Sequence, residues 1–128
     1  MRLITHNMLK CNVRGVKNGY PLRIEAESIE EITSEYNHEL IKTMLKKIDW
    51  QGFLSGGKDL KFQELDSLLK IQDDSQLEAL EDENVLKIIH KLLFDIHINE
   101  GHLICPESGR KFPIKDGIPN MLLHEDEL

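Results

Sequence analysis

The chain of 128 residues has no apolar run near the roughly 18 residues that a membrane-spanning helix needs. It has no internal repeat and no low-complexity tract, which sets aside solenoids and arrays. Only two cysteines are present, Cys11 and Cys105, too few for a disulfide scaffold or a four-thiolate metal site. The opening residues are too quickly interrupted for a secretory signal, so both cysteines are expected as reduced thiols and no membrane partner is expected. There is no phosphate-cradling loop, because Gly56-Gly57 lacks the rest of such a motif. Acid is missing from residues 1–24, which carry Arg2, Lys10, Arg14, Lys17 and Arg23.

What is present is an acidic middle between basic ends. The net charge is −7, yet residues 25–100 alone stand at −10. Three of the five acids in residues 101–128 fall at 125–127, and these closing residues are expected as a disordered, solvated acidic tail. An acidic whole argues against independent, counterion-driven binding of nucleic acid. A basic terminal unit can still touch a phosphate that something else has positioned.

Leu3 and Ile4 are expected in an opening strand, and residues 21–24 in a second extended segment after the Asn18-Gly19 turn. The glutamate-rich stretch 28–36 reads as a connector with at most a short extended piece. Asn37 is a helix cap for Leu40, Ile41, Met44, Leu45 and Ile48, which recur at the helical period. Asp49 caps a short helix with Trp50, Phe53 and Leu54 that Gly56-Gly57 is expected to end. Residues 73–75 read as a loop. A third helix from about 82 to 94 has the widest apolar face, and Ile96 and Ile98 then alternate with polar residues as a strand. The fold class is α+β: a small β unit from residues 1–24 and 95–123, with a helical insertion over 25–94 and the tail at 124–128.

Residues 100–123 hold the densest turn chemistry. Asp116-Gly117 between apolar runs is a hairpin signal. Cys105-Pro106-Glu107-Ser108-Gly109 has the layout of a zinc knuckle with Ser108 in place of the second thiolate. The other half-site would be Cys11 and Val16, so positions 11, 16, 105 and 108 offer only two thiols and bound zinc is not expected. Cys11 and Cys105 would remain neighbours, able to form a disulfide under oxidation. The six histidines are scattered and form no pairing with a nucleophile, so no catalytic residue is assigned. Ile118, Pro119, Asn120, Met121, Leu122 and Leu123 are almost wholly apolar, and Pro119 confines its strand to an edge.

These residues carry a resemblance. Residues 1–11, Gly19-Tyr20-Pro21-Leu22, Ile48-Asp49-Trp50, Glu100-Gly101, residues 105–112 and residues 117–123 are similar to the small eukaryotic and archaeal activator subunit shared by several tRNA, rRNA and release-factor methyltransferases. The resemblance implies a zinc-ribbon-like domain built from both termini, a helical domain inserted in it, and no methyl transfer by the subunit itself. It implies heterodimers with one of several alternative catalytic subunits at a time, through strand addition that covers apolar surface. S-adenosylmethionine, the one cofactor implied, would be bound by the partner only, and RNA would be met only through the partner. Cytoplasmic and nuclear localisation follows from those clients. The partner contacts are expected at Met8, Leu9, Phe112 and the 118–123 run, and RNA-facing positions at Lys10, Arg14, Lys17 and Arg110. The competing class is an independent nucleic-acid or protein interaction module on a degenerate zinc ribbon.

Overall fold

A computed structural model of the chain describes residues 1–72 and 74–128. Four antiparallel strands lie in the order β1-β2-β3-β4: Arg23–Glu31, Ile96–Ile104, Lys111–Lys115 and Ile118–Pro119. Helices α1 (Leu3–His6), α2 (His38–Leu45), α3 (Trp50–Asp59), α4 (Asp74–Glu78) and α5 (Glu83–His90) complete the α+β architecture. No helix among the described residues is long and apolar enough to cross a membrane. One apolar cluster gathers Leu3, Leu22, Phe53, Leu92, Ile98, Leu103 and Phe112, so strands and helices share a core.

The expected opening strand is a single helical turn. In a strand Leu3 and His6 would face opposite sides, whereas one turn of helix puts both on α3, and both are fully buried there. Extended pairing is left to Met1, whose carbonyl accepts from the Ile98 N–H at 2.8 Å. Its amino group donates to the carbonyls of Ile98 and Gly117, each at 2.7 Å.

Strand β1 runs across the boundary expected after residue 24 and takes in half of the supposed connector. Its glutamates concealed it: they face solvent on an edge strand, while the backbone pairs from Arg23↔Ile104 to Glu31↔Ile96 through an irregularity around Ser28. Gly101 lets the two strands close, since a Cβ there would sit 3.1 Å from Ala26 Cα and overlap the Glu25 carbonyl oxygen.

The caps fall where the side chains can satisfy free N–H groups. Asn37 accepts from Leu40 N–H at 3.1 Å, Asp49 from Gly52 N–H at 3.2 Å, and Asp82 from Asn84 N–H at 2.9 Å. Gly56 and Gly57 do not end α3. They lie inside it because neighbours approach closely: added Cβ atoms would meet Leu3 Cδ2 at 3.0 Å and Leu65 Cδ1 at 2.7 Å. Of the loop expected at 73–75, Asp73 lies outside the described residues, and α4 begins at Asp74. Helix α5 passes through a π turn, Lys91–Asp95, directly into β2, with Leu86, Ile89, Leu92 and Leu93 fully buried.

The Asp116-Gly117 hairpin joins β3 to β4 with φ of 52° and 77°, the doubly positive turn that matches strand twist. The tail is not free. Residues 125–127 form a 3-10 turn, and Glu127 is an ion-pair partner of Arg110 at 2.7 Å. That contact replaces the expected disorder, because the acidic run meets a cation placed at the end of the sheet.

Candidate docking edge and cysteine end

Strand β4 is two residues long and closes one side of the sheet, pairing with β3 through Ile114↔Pro119 and Lys115↔Ile118. Beyond it Asn120 N–H donates to the Pro113 carbonyl at 2.9 Å, and the Asn120 side chain accepts from Leu122 N–H at 3.0 Å. Alternation then sorts the apolar run. Pro119, Met121 and Leu123 are half-buried, and the last two pack on the core. Ile118 is 68% exposed and Leu122 80% exposed, with the exposed Asn120 between them. An open groove of about 620 Å³ runs along Lys115, Ile118, Pro119, Met121 and Leu122.

The other expected contact residues divide. Met8 is 73% exposed in the loop after α1, and Leu9 is half-buried. Phe112 is corrected: it is fully buried, with the Arg110 guanidinium 4.8 Å from its ring centroid. A partner would reach that ring only by opening the core.

Cys11 and Cys105 do come together, both buried and both free thiols. The two thiols are close enough to influence each other's ionisation, and Ser108 N–H donates to Cys105 Sγ at 3.3 Å. Burial pushes the Cys11 thiol up, and contact with Cys105 adds to the rise. Burial also raises Cys105, but the Ser108 hydroxyl and backbone, Cys11 and the Glu107 backbone together outweigh it and leave that thiol below its ordinary value. The turn itself is well formed: Gly109 N–H donates to Cys105 O at 3.0 Å, and Cys105 N–H to Arg110 O at 2.9 Å. Gly109 takes a φ of 76° in it. The donor set does not fit zinc. Val16 is a hydrocarbon packed on the core, and a hydroxyl cannot replace a thiolate in a tetrahedral site. Histidine does not complete it either, because His6 donates from Nε2 to the Leu22 carbonyl at 2.7 Å in the core. Among the described residues no three His, Cys, Asp or Glu side chains gather as a metal site.

Lys10, Arg14 and Lys17 are exposed on the loop that carries Cys11. Glu107 ties that loop to the Cys105 turn, accepting from Lys17 N–H at 3.1 Å and Asn18 N–H at 3.2 Å. Arg110 is already engaged. Its Nε and Nη2 donate to the two carboxylate oxygens of Glu127 at 2.7 and 3.1 Å, which holds that carboxyl at about 2. Reading the tail as solvated acid missed Glu127; the opposite charges of 110 and 125–127 were the available signal.

One cluster resembles catalytic machinery and is not. Ser34 Oγ donates to Asp95 Oδ1 at 2.6 Å and accepts from His90 Nε2 at 3.0 Å. Serine and carboxylate therefore share one side of the imidazole, while His90 Nδ1 is buried without a partner. A relay needs the carboxylate on the nitrogen opposite the nucleophile. The group instead pins residues 32–34 to the end of the π turn, where Ile32 N–H also donates to Asp95 O at 2.8 Å.

The described residues form a mixed α+β chain whose sheet ends in a short edge strand with exposed apolar side chains. The family model described as "Trm112p-like protein" matches residues 2–117. A multifunctional methyltransferase subunit TRM112 homolog A of Arabidopsis thaliana is 48% identical over the whole of both chains. The mouse multifunctional methyltransferase subunit TRM112-like protein is 39% identical over 99% of this chain and 98% of its own. In a solved structure of the E. cuniculi Mtq2-Trm112 complex, responsible for methylation of the translation termination factor eRF1, one chain matches with a TM-score of 0.57. Identity there is 23% and coverage 95% of each chain, a likeness of fold. The chain belongs to the Trm112p-like family.

Proposed function

We propose that this chain is a non-catalytic activator and stabilising subunit of S-adenosylmethionine-dependent methyltransferases. It binds alternative catalytic subunits acting on tRNA, rRNA and a translation release factor, one at a time, as heterodimers. The observation that carries the reading is the pair Ile118 and Leu122, 68% and 80% exposed, the first on the edge strand β4 and the second just beyond it. Apolar side chains alternating on an open strand suit addition to another protein's sheet, where main-chain hydrogen bonds supply affinity and alternate side chains fill pockets. The naming of its relatives as methyltransferase subunits, and the pairing of the E. cuniculi protein with Mtq2, support the same partner class. S-adenosylmethionine belongs to the partner's site, and the cysteine end is a ribbon that keeps the knuckle turn without a zinc donor set. RNA meets Lys10, Arg14, Lys17 and Arg110 only in the complex, and the cytoplasm and nucleus are where such clients work.

The test is co-expression with candidate methyltransferases, measuring enzyme solubility, a one-to-one complex and methyl transfer. The reading expects a soluble, active enzyme only in the pair. Methyl transfer by the isolated chain, or indifference of every candidate enzyme to it, would overturn the reading.

A further inference from the structure

Glu127 does more than quench a surface charge. The Arg110 guanidinium is fixed on three sides before the glutamate is considered. Its face covers the Phe112 ring at 4.8 Å, and its Nη1 and Nη2 donate to the carbonyls of Lys111 and Leu122. What remains is the Nε–Nη2 edge, a two-pronged donor of the shape that carboxylates and phosphates accept bidentately. Glu127 fills that edge, and its own position is set by two further bonds. Its Oε1 accepts from His124 N–H at 2.9 Å, and its carbonyl accepts from Arg14 N–H at 2.7 Å. The tail therefore lies between Arg110 and the loop that carries Lys10, Arg14 and Lys17.

We infer that the Arg110 fork is a phosphate-binding site for an RNA backbone, held closed in the free chain by Glu127 as an internal stand-in. This rests on the proposed function, in which a methyltransferase brings RNA to this end of the chain. Arg110 is pre-oriented, so no side-chain search is needed when the carboxylate leaves. One carboxylate satisfies one guanidinium, whereas consecutive phosphates can meet Arg110 and the cations of the adjoining loop together, releasing counterions as they do. The glutamate thus sets a threshold: a chain of phosphates displaces the tail, and a single small anion does not.

The experiment measures a fluorescein-labelled oligouridylate by anisotropy at low salt, against both the free chain and its complex with a methyltransferase. In the complex, E127Q should tighten RNA binding about tenfold. D126N removes the same charge one residue away and should change binding less than about twofold. The gain from E127Q should vanish in R110Q/E127Q. Equal gains from E127Q and D126N would reduce the effect to bulk charge and overturn the inference. So would a gain that survives R110Q, no RNA binding by any variant, or an E127Q effect confined to affinity for the methyltransferase, which would make the ligand an acidic protein segment. Failure of the proposed function is read separately, as a wild-type chain that forms no complex.

Discussion

Leu122→Asp separates a docking surface from a core. The side chain is 80% exposed, so the free chain loses little packing, and its unfolding free energy should move by no more than about 0.5 kcal/mol. In a complex that covers it, fully burying a leucine contributes about 1.5–3 kcal/mol, and four-fifths of that remains to be gained here. Leu122→Ala should therefore weaken the heterodimer by about 1–2.5 kcal/mol, or roughly 5- to 70-fold in Kd. Leu122→Asp adds the burial of an unpaired carboxylate and should push the loss beyond about a thousandfold. Phe112→Ala is the control: its ring is fully buried, so it should lower the unfolding free energy of the free chain by about 3–5 kcal/mol. Urea unfolding reads the first quantity, and titration of a co-purified methyltransferase with each variant reads the second. A Leu122→Asp chain that unfolds as readily as Phe112→Ala, or that binds its enzyme as tightly as the wild type, would refute the assignment of this edge.

Gly101→Ala places a Cβ against the Glu25 carbonyl in the middle of the β1–β2 ladder, where backbone cannot give way. It should destabilise the chain by at least about 2 kcal/mol, seen as an early urea midpoint. His6 is neutral in the fold because burial lowers its pKa, outweighing the Leu22 hydrogen bond and the Asp59 charge. Below the ordinary value of 6.5 the unfolded chain takes up this proton first. Stability should thus fall as pH drops below 6.5 and stop falling once the folded histidine titrates; His6→Gln should flatten that slope in pH-dependent thermal melts. Cys11 and Cys105 are buried free thiols close enough to influence each other's ionisation, so diamide should convert both to one intramolecular disulfide. Maleimide labelling in denaturant should then find neither thiol, and two free thiols after diamide would show that the backbone holds them too far apart.

Several features were legible because they depend on neighbours in the chain. Asn37, Asp49 and Asp82 cap helices with their own side chains, and Asp116-Gly117 turns because those two residues accept positive φ. Ile96 and Ile98 alternate because one face of β2 is buried. The misreadings share one cause, a partner far away in sequence. Gly56 and Gly57 look like a helix stop until Leu3 and Leu65 pack against them. The glutamates of β1 look like a connector until Ile96 and Ile98 pair with the backbone. Leu3 and Ile4 look like a strand until α3 offers a surface for one helical turn. Phe112 sits within an expected contact surface by sequence, yet the pleat turns it inward and leaves Ile118 and Leu122 outside.

The sequence alone determined the α+β class, the hairpin, the two-thiol shortfall at positions 11, 16, 105 and 108, and the apolar run at 118–123. Each of these is a matter of residue type and local spacing. Only the tertiary structure decided which apolar side chains remain outside and that Glu127 occupies Arg110. Burial and ion pairing depend on where distant segments meet, and local periodicity carries no information about that.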